Sequence, residues 1–190
     1  MKRSLSTSQR AGFSLAEIIV GISFLSILAG TVAMRSGGMI DRGKTSEVVS
    51  LARTFKAVCA SYHADVGSYA REYANSSAGN RRLSADQPFN GWSGPYIESP
   101  LAPTQNPFGG TVHLYDNVRA AGRIPGFDVD GDGRLDVKGT GNMLFLTKVE
   151  HEDAEAIDKS IDGSLAGYWS KAGRVRYKWD KKELFILVYY

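Results

Sequence analysis

One cysteine and three histidines serve a chain of 190 residues, and that scarcity excludes several chemistries. Cys59 alone can close no internal disulfide and supply no cysteine-based metal centre. His63, His113 and His151 lack metal-ligand spacing, and no Gly-x-Ser-x-Gly elbow occurs. The chain therefore reads as a non-enzyme. An excess of one charge is also missing. Lys2, Arg3 and Arg10 account for the formal net charge of +3, and beyond them the chain balances 20 basic against 20 acidic residues. No basic face for phosphate follows, so no nucleic-acid partner is expected. What is present, 43 % hydrophobic and 23 % charged residues, is ordinary for one globular domain with an appended segment.

The appended segment is the run FSLAEIIVGISFLSILAGTVAM from Phe13 to Met34, 22 residues with Glu17 as the single charge. As a helix it spans about 33 Å, enough for a hydrocarbon layer of about 30 Å. A removable secretory signal is the rival reading, with Thr31-Val32-Ala33 as a passable cleavage site, although its apolar core is normally only about 7–15 residues long. Glu17 needs a cause, because a carboxylate in a bilayer costs roughly 2.5–3.5 kcal/mol. Basic residues do not orient the span: three precede it, and Arg35, Arg42 and Lys44 follow it.

Ala11-Gly12-Phe13-Ser14-Leu15-Ala16-Glu17 behind a short basic leader resembles the class III leader of type IV pilins and of the pseudopilins of type II secretion. The resemblance implies that a membrane-embedded prepilin peptidase removes residues 1–12, cutting between Gly12 and Phe13 and methylating the new amino terminus. Glu17 becomes the fifth residue of the mature chain. There it neutralises the terminal amine of a neighbouring subunit, a pair worth more in a low dielectric than in water. Residues 13–36 would form the transmembrane helix and filament core, and 37–190 an exposed head. The implied location is the bacterial inner membrane, single-pass, with the head in the periplasm. The implied partners are further copies of the chain, the peptidase, an inner-membrane assembly platform and minor pseudopilins.

Gly37-Gly38 should loosen or kink a helix. The helical pattern then resumes: Val48, Ala52, Phe55, Cys59 and Tyr62 make one apolar stripe, with Arg53, Lys56 and Ser61 off it. It predicts a helix to Val66 capped by Gly67, with Cys59 a buried apolar side chain. Residues 75–88 read as a loop. Residues 111–115, 142–149, 174–179 and 183–190 read as strands, the last two as a hairpin, and 152–161 as a short helix. Six acids over 150–162 and six bases over 171–182 predict a salt-bridged surface of little energetic weight. Trp92, Tyr96, Trp169 and Trp179 read as core, with an adhesive or sugar-binding surface as the alternative.

Tyr62-His63-Ala64-Asp65-Val66-Gly67-Ser68-Tyr69 is similar to the Tyr-x-x-Asp-x-Gly-x-Tyr ending of the first helix in major pseudopilins. Gly94-Pro95-Tyr96-Ile97 and Asn106-Pro107-Phe108-Gly109-Gly110 are similar to their following loop, where the family has Asp-Pro-Trp-Gly and this chain has Asn106 and Phe108. The likeness is good to about Tyr115 and thin beyond. It implies an α+β, pilin-like fold: a long N-terminal α-helix, half in the membrane and half amphipathic, packed on a small antiparallel β-sheet.

Two motifs remain. In Asp128-Val129-Asp130-Gly131-Asp132-Gly133-Arg134-Leu135-Asp136, acids at positions one, three, five and nine, Gly at six and the Arg134 carbonyl at seven reproduce the start of a calcium loop. Gly139 stands where an EF-hand has its bidentate Glu, so further ligands would come from Glu150, Asp153 or water. A solvated acidic turn is the alternative. Gly38-Met39-Ile40-Asp41-Arg42-Gly43-Lys44-Thr45 matches a phosphate loop in pattern but lacks the strand before it and the parallel sheet after it. Three functional classes are thus separated: a filament subunit, in a secretion pseudopilus or alternatively in a surface pilus for adhesion, motility or DNA uptake; a secreted calcium-binding protein; and an NTPase.

Overall fold

The computed structural model describes residues 15–74, 76–120, 123–165 and 167–190, with residues 28 and 30–41 described by their backbone alone. Gly12 and Phe13, the processing residues, lie outside the described residues. The chain divides into two compact units, Met1–Ile40 and Asp41–Tyr190.

Helix α1, Leu15–Val66, contributes to both units. It runs through Gly37-Gly38 without a break in its assignment, so the glycine pair does not end it. Residues 38–45 are helical too. A phosphate loop wraps its ligand with free backbone N–H groups, and a helix interior has none to offer. In the first unit Leu15, Ile18, Ile19, Val20, Ile22, Phe24, Leu25 and Ile27 are all exposed, Leu15 at 78 %. Among the described residues no helix is long and apolar enough to cross a membrane; the described side chains of the apolar run extend only over 15–27 and Ala29.

In the second unit the predicted stripe is buried: Val48, Ala52, Phe55, Cys59 and Tyr62 face the core. Burial pushes the Cys59 thiol pKa far up, which keeps it protonated and inert. The helix ends as its residues dictate. Gly67 takes a φ of +71° and donates its N–H to the His63 carbonyl at 2.9 Å.

Five strands form one antiparallel sheet in the order β1-β2-β3-β5-β4: β1 Glu72–Tyr73, β2 Val112–Asn117, β3 Thr140–Thr147, β4 Val175–Lys178 and β5 Glu183–Tyr189. Helix α2, His151–Ile161, connects β3 to the β4–β5 hairpin. The four long strands fall where the sequence places them; the two-residue β1 was not legible. Leu114 pairs with Leu144, Phe145 with Phe185, and Tyr177 with Leu184.

Both faces of the sheet are covered. Leu144, Leu146, Leu184 and Ile186 pack with the α1 stripe and with Ala154 and Ile157 of α2. Their neighbours Met143, Phe145, Phe185 and Leu187 point the other way and pack with Val118, Ile124, Phe127 and Val137 from the long β2–β3 connection. Burial on both sides explains why β3 and β5 read as continuous apolar runs rather than as alternating ones. The single-helix cover implied by the resemblance is therefore extended by a second layer, and the acidic motif lies in that layer.

Of the predicted loop, residues 76–88 are described; they form a loop with one 3-10 turn, Ala78–Asn80, that is anchored rather than loose. Leu83 is fully buried, and the fully buried Glu72 carboxylate accepts from the Leu83 N–H at 3.0 Å and the Ser84 hydroxyl at 2.5 Å. Burial still raises the Glu72 pKa above the ordinary carboxylate range, against the pull of these bonds. The predicted salt-bridged surface contains Glu150–Lys182 at 2.6 Å and Asp162–Arg174 at 3.1 Å. Trp92, Tyr96 and Trp169 pack against the core, but Trp179 is 48 % exposed and is not a core residue.

Candidate functional sites

The N-terminal site is built by α1. Glu17 stands in its first turn, exposed, on the same helix as the eight exposed apolar side chains. Ser23 and Ser26 return their hydroxyls to the carbonyls of Ile19 and Ile22, each at 2.8 Å. Back-bonding of this kind leaves the hydroxyls satisfied without water, and Glu17 is the one charged residue of the described part of this surface.

The second constellation holds the end of α1 to the loop that follows β1. Asp65 accepts from the Ser93 hydroxyl at 2.6 Å and the Tyr96 hydroxyl at 2.8 Å, bonds that lower its pKa. Tyr62 meets the Tyr96 ring edge-on at 5.4 Å. Gly91 passes so close that a Cβ there would lie 2.1 Å from the Asp65 carbonyl oxygen. The tyrosine, aspartate and loop residues of the two motifs thus meet each other. Farther along, buried Asn106 donates from Nδ2 to the carbonyls of Thr111, at 3.0 Å, and Thr147, at 2.9 Å, while its Oδ1 accepts from the Phe108 N–H at 3.0 Å. That clamp launches β2 beside β3.

The third is the acidic loop between β2 and β3. A two-residue bridge pairs Phe127 with Val137 at its base, and the Gly173 N–H reaches the Asp128 carbonyl at 2.6 Å. Inside the loop the carboxylates turn back onto the backbone. Asp128 takes the N–H groups of Gly131 and Gly133, both at 2.9 Å; Asp130 takes that of Asp132 at 3.1 Å, Asp132 that of Arg134 at 2.7 Å, and Asp136 that of Val129 at 2.7 Å. Gly131 and Gly133 hold φ values of +79° and +87°, which the glycines of the motif permit. Asp128, Asp130 and Asp136 place carboxylate oxygens within 4.8 Å of one another.

Asp132 does not join that group, and neither does Glu150 or Asp153; Glu150 is held by Lys182. Oxygen donors alone, three of them carboxylates, suit a hard cation, although a calcium ion takes 6–8 ligands and carbonyls or water would complete the shell. Arg176 was not legible from the sequence as a neighbour of this loop. Its guanidinium donates to the Gly126 carbonyl at 2.7 Å, and its pKa is lowered by burial and raised in part by Asp128.

No curated protein and no solved structure matches the chain. The family model described as "PilW_C: PilW, C-terminal" matches residues 39–124, a little under half of the chain. The matched segment holds the second half of α1, the loop with its Asp65 and Asn106 contacts, and β2; it ends before the acidic loop. That similarity supports placing the chain with a type IV pilus-associated family.

Proposed function

We infer that the chain is a structural subunit of a type IV pilus-like filament. The observation that carries the reading is the exposed apolar surface of α1 with a single carboxylate at its start, five residues after Gly12. Large apolar side chains left bare in water would cost about 1.5–3 kcal/mol each, so this surface calls for lipid before assembly and other subunits after it. Cleavage between Gly12 and Phe13 by prepilin peptidase leaves the run attached, and Glu17 then meets the methylated amine of a neighbouring copy. The subunit waits in the inner membrane with its head in the periplasm until an assembly platform draws it into the filament.

The motifs at 62–69 and 94–110 support the pseudopilus of a type II secretion system, with minor pseudopilins as further partners. The PilW match supports a role in type IV pilus biogenesis, the setting of the alternative surface-pilus reading. The two readings share processing and docking and differ in the product. Glu17→Ala in the native host should leave processing intact and abolish filaments. Filaments assembled normally by that variant would sink the docking role; loss of protein secretion with pili intact selects the pseudopilus, and the reverse selects the pilus.

Within the same reading the acidic loop takes calcium through Asp128, Asp130 and Asp136, with Asp132 and the Arg134 carbonyl as the remaining motif positions. Bound calcium would stabilise the head by binding only the folded loop. Calcium should raise the unfolding midpoint of the wild type and not that of Asp128→Asn; an equal rise in both would refute the site.

A further inference from the structure

The cavities beside α2 differ in the charge of their walls. One, open to solvent, holds Asp158 and Glu155 beside Lys159. A second sets Arg42, Lys44 and Lys159 against Glu150, Glu152 and Asp153. A third, of about 220 Å³, lies between α1, the end of α2 and β5, and it is lined by Arg53, Lys56 and Arg174 with no acid at all. In a chain whose charges otherwise balance, three bases converging on one recess set it apart from its neighbours.

The bases are free to act on a ligand. Val49, Ala52, Arg53 and Lys56 recur at three- and four-residue spacing, which puts them on one face of α1. Arg53 and Lys56 are exposed and have no hydrogen bond or ion pair among the described residues. Arg174 gives its Nε to Asp162 at 3.1 Å and its Nη2 to the Ile161 carbonyl at 2.7 Å, which fixes the guanidinium and leaves Nη1 without a partner among the described residues. Asp162 stands behind that guanidinium and does not line the cavity. The carbonyls that end α2 do not oppose an anion either. That of Ile161 is held by Arg174, that of Asp158 by the Asp162 N–H at 2.8 Å, and that of Lys159 by the Gly163 N–H at 3.2 Å.

The floor selects the kind of anion. Val49, Ala52, Ile186 and Val188 form it, all buried and apolar. A bare phosphate would satisfy the bases and leave that floor uncovered. A carboxylate on an alkyl stem does both, pairing with the guanidinium and ammonium groups at the rim while the stem covers the floor.

We propose that the cavity between α1 and β5, walled by Arg53, Lys56 and Arg174, binds a carboxylate carried on a short apolar stem, either a free aliphatic acid or a glutamate side chain of a partner protein. This proposal is independent of the filament reading. Its test uses the full chain in detergent micelles, with carbon-13 in the isoleucine δ1 methyls. Ile161 and Ile186 line the cavity and are assigned with Ile161→Val and Ile186→Val; Ile124, packed on the opposite face of the sheet, is the internal reference. Hexanoate should shift the Ile161 and Ile186 lines saturably and leave Ile124 unmoved. Hexanamide, which keeps the stem without the charge, and inorganic phosphate, which keeps the charge without the stem, should each bind at least about tenfold more weakly. Arg53→Gln combined with Lys56→Gln should weaken hexanoate by a similar factor; the hexanamide and phosphate comparisons are made on the wild type and stand whatever the variant does. Tighter binding of N-acetyl-glutamate N-methylamide than of hexanoate would assign the carboxylate to a partner's side chain, and the reverse order to a free acid. Equal binding of hexanoate and hexanamide, equal binding of hexanoate and phosphate, undiminished binding to the folded double variant, or no saturable shift at Ile161 and Ile186 would overturn the proposal.

Discussion

Asn106→Asp changes one buried group and should cost the head much of its stability. Asn106 is 2 % exposed, and its Nδ2 bridges two carbonyls, Thr111 at 3.0 Å and Thr147 at 2.9 Å. An aspartate keeps the acceptor for the Phe108 N–H but donates nothing. Two hydrogen bonds at about 1 kcal/mol each are lost, and a carboxylate facing two carbonyl oxygens adds at least about 1–2 kcal/mol, giving roughly 3–4 kcal/mol in total. The loss should depend on pH. A carboxyl in that place has its folded pKa raised above the unfolded value of about 3.9, so the deficit grows as pH rises through that interval and shrinks as the acid is protonated and regains one donor. Urea unfolding of the full chain in micelles, followed by tryptophan fluorescence at pH 4.5 and 8, measures both parts. Asn106→Ala should lose a similar amount without the pH dependence. Wild-type stability for Asn106→Asp at pH 8 would refute the clamp, and with it the account of how β2 is set beside β3.

Two further predictions concern other buried contacts. Burial raises the Asp158 pKa to about 7, with Asp162 and Glu155 adding to it. The folded state therefore holds this proton more tightly than the unfolded chain, so wild-type stability should fall as pH rises from about 4 to about 7. A shift of that size corresponds to roughly 4 kcal/mol, screened by the open cavity to about 2 kcal/mol; Asp158→Asn should gain that at pH 8, gain nothing at pH 4, and flatten the unfolding profile between. At Gly91, φ is +84° and an added Cβ would meet the Asp65 carbonyl oxygen at 2.1 Å. Gly91→Ala should lower stability by about 2–4 kcal/mol and speed hydrogen exchange at the end of α1; unchanged exchange there would show that the loop does not hold the helix end.

How much of this was legible in the chain follows from what each feature needs. Local patterns carried far: the stripe Val48, Ala52, Phe55, Cys59, Tyr62 gave the buried face of α1, and Gly67 gave its end. Tyr62, Asp65, Tyr96 and Asn106 were legible as motif residues, but only the fold shows that the first three meet and that an amide at 106 does what an acid cannot. The second cover of the sheet was missed, although its signal was present. Met143-Leu144-Phe145-Leu146 and Leu184-Phe185-Ile186-Leu187 lack the alternation of a half-exposed sheet, which is what a strand buried on both faces looks like. Glu72 and Asp158 were illegible because burial of an acid depends on a segment outside its own element, residues 83–84 for one and Gly163, Ser164 and Trp169 for the other. At the glycine pair 37–38 and the phosphate-loop pattern, local residue preferences favour a loosened backbone, and the helix assignment is nonetheless continuous from Leu15 to Val66.

The central claim, a filament subunit released from its leader, is tested most directly at the mature amino terminus. Protein taken from membranes of its own host should give an N-terminal peptide beginning at N-methylated Phe13, with an intact mass that lacks residues 1–12. A chain beginning near Met34, or one that still carries Met1, would contradict the account.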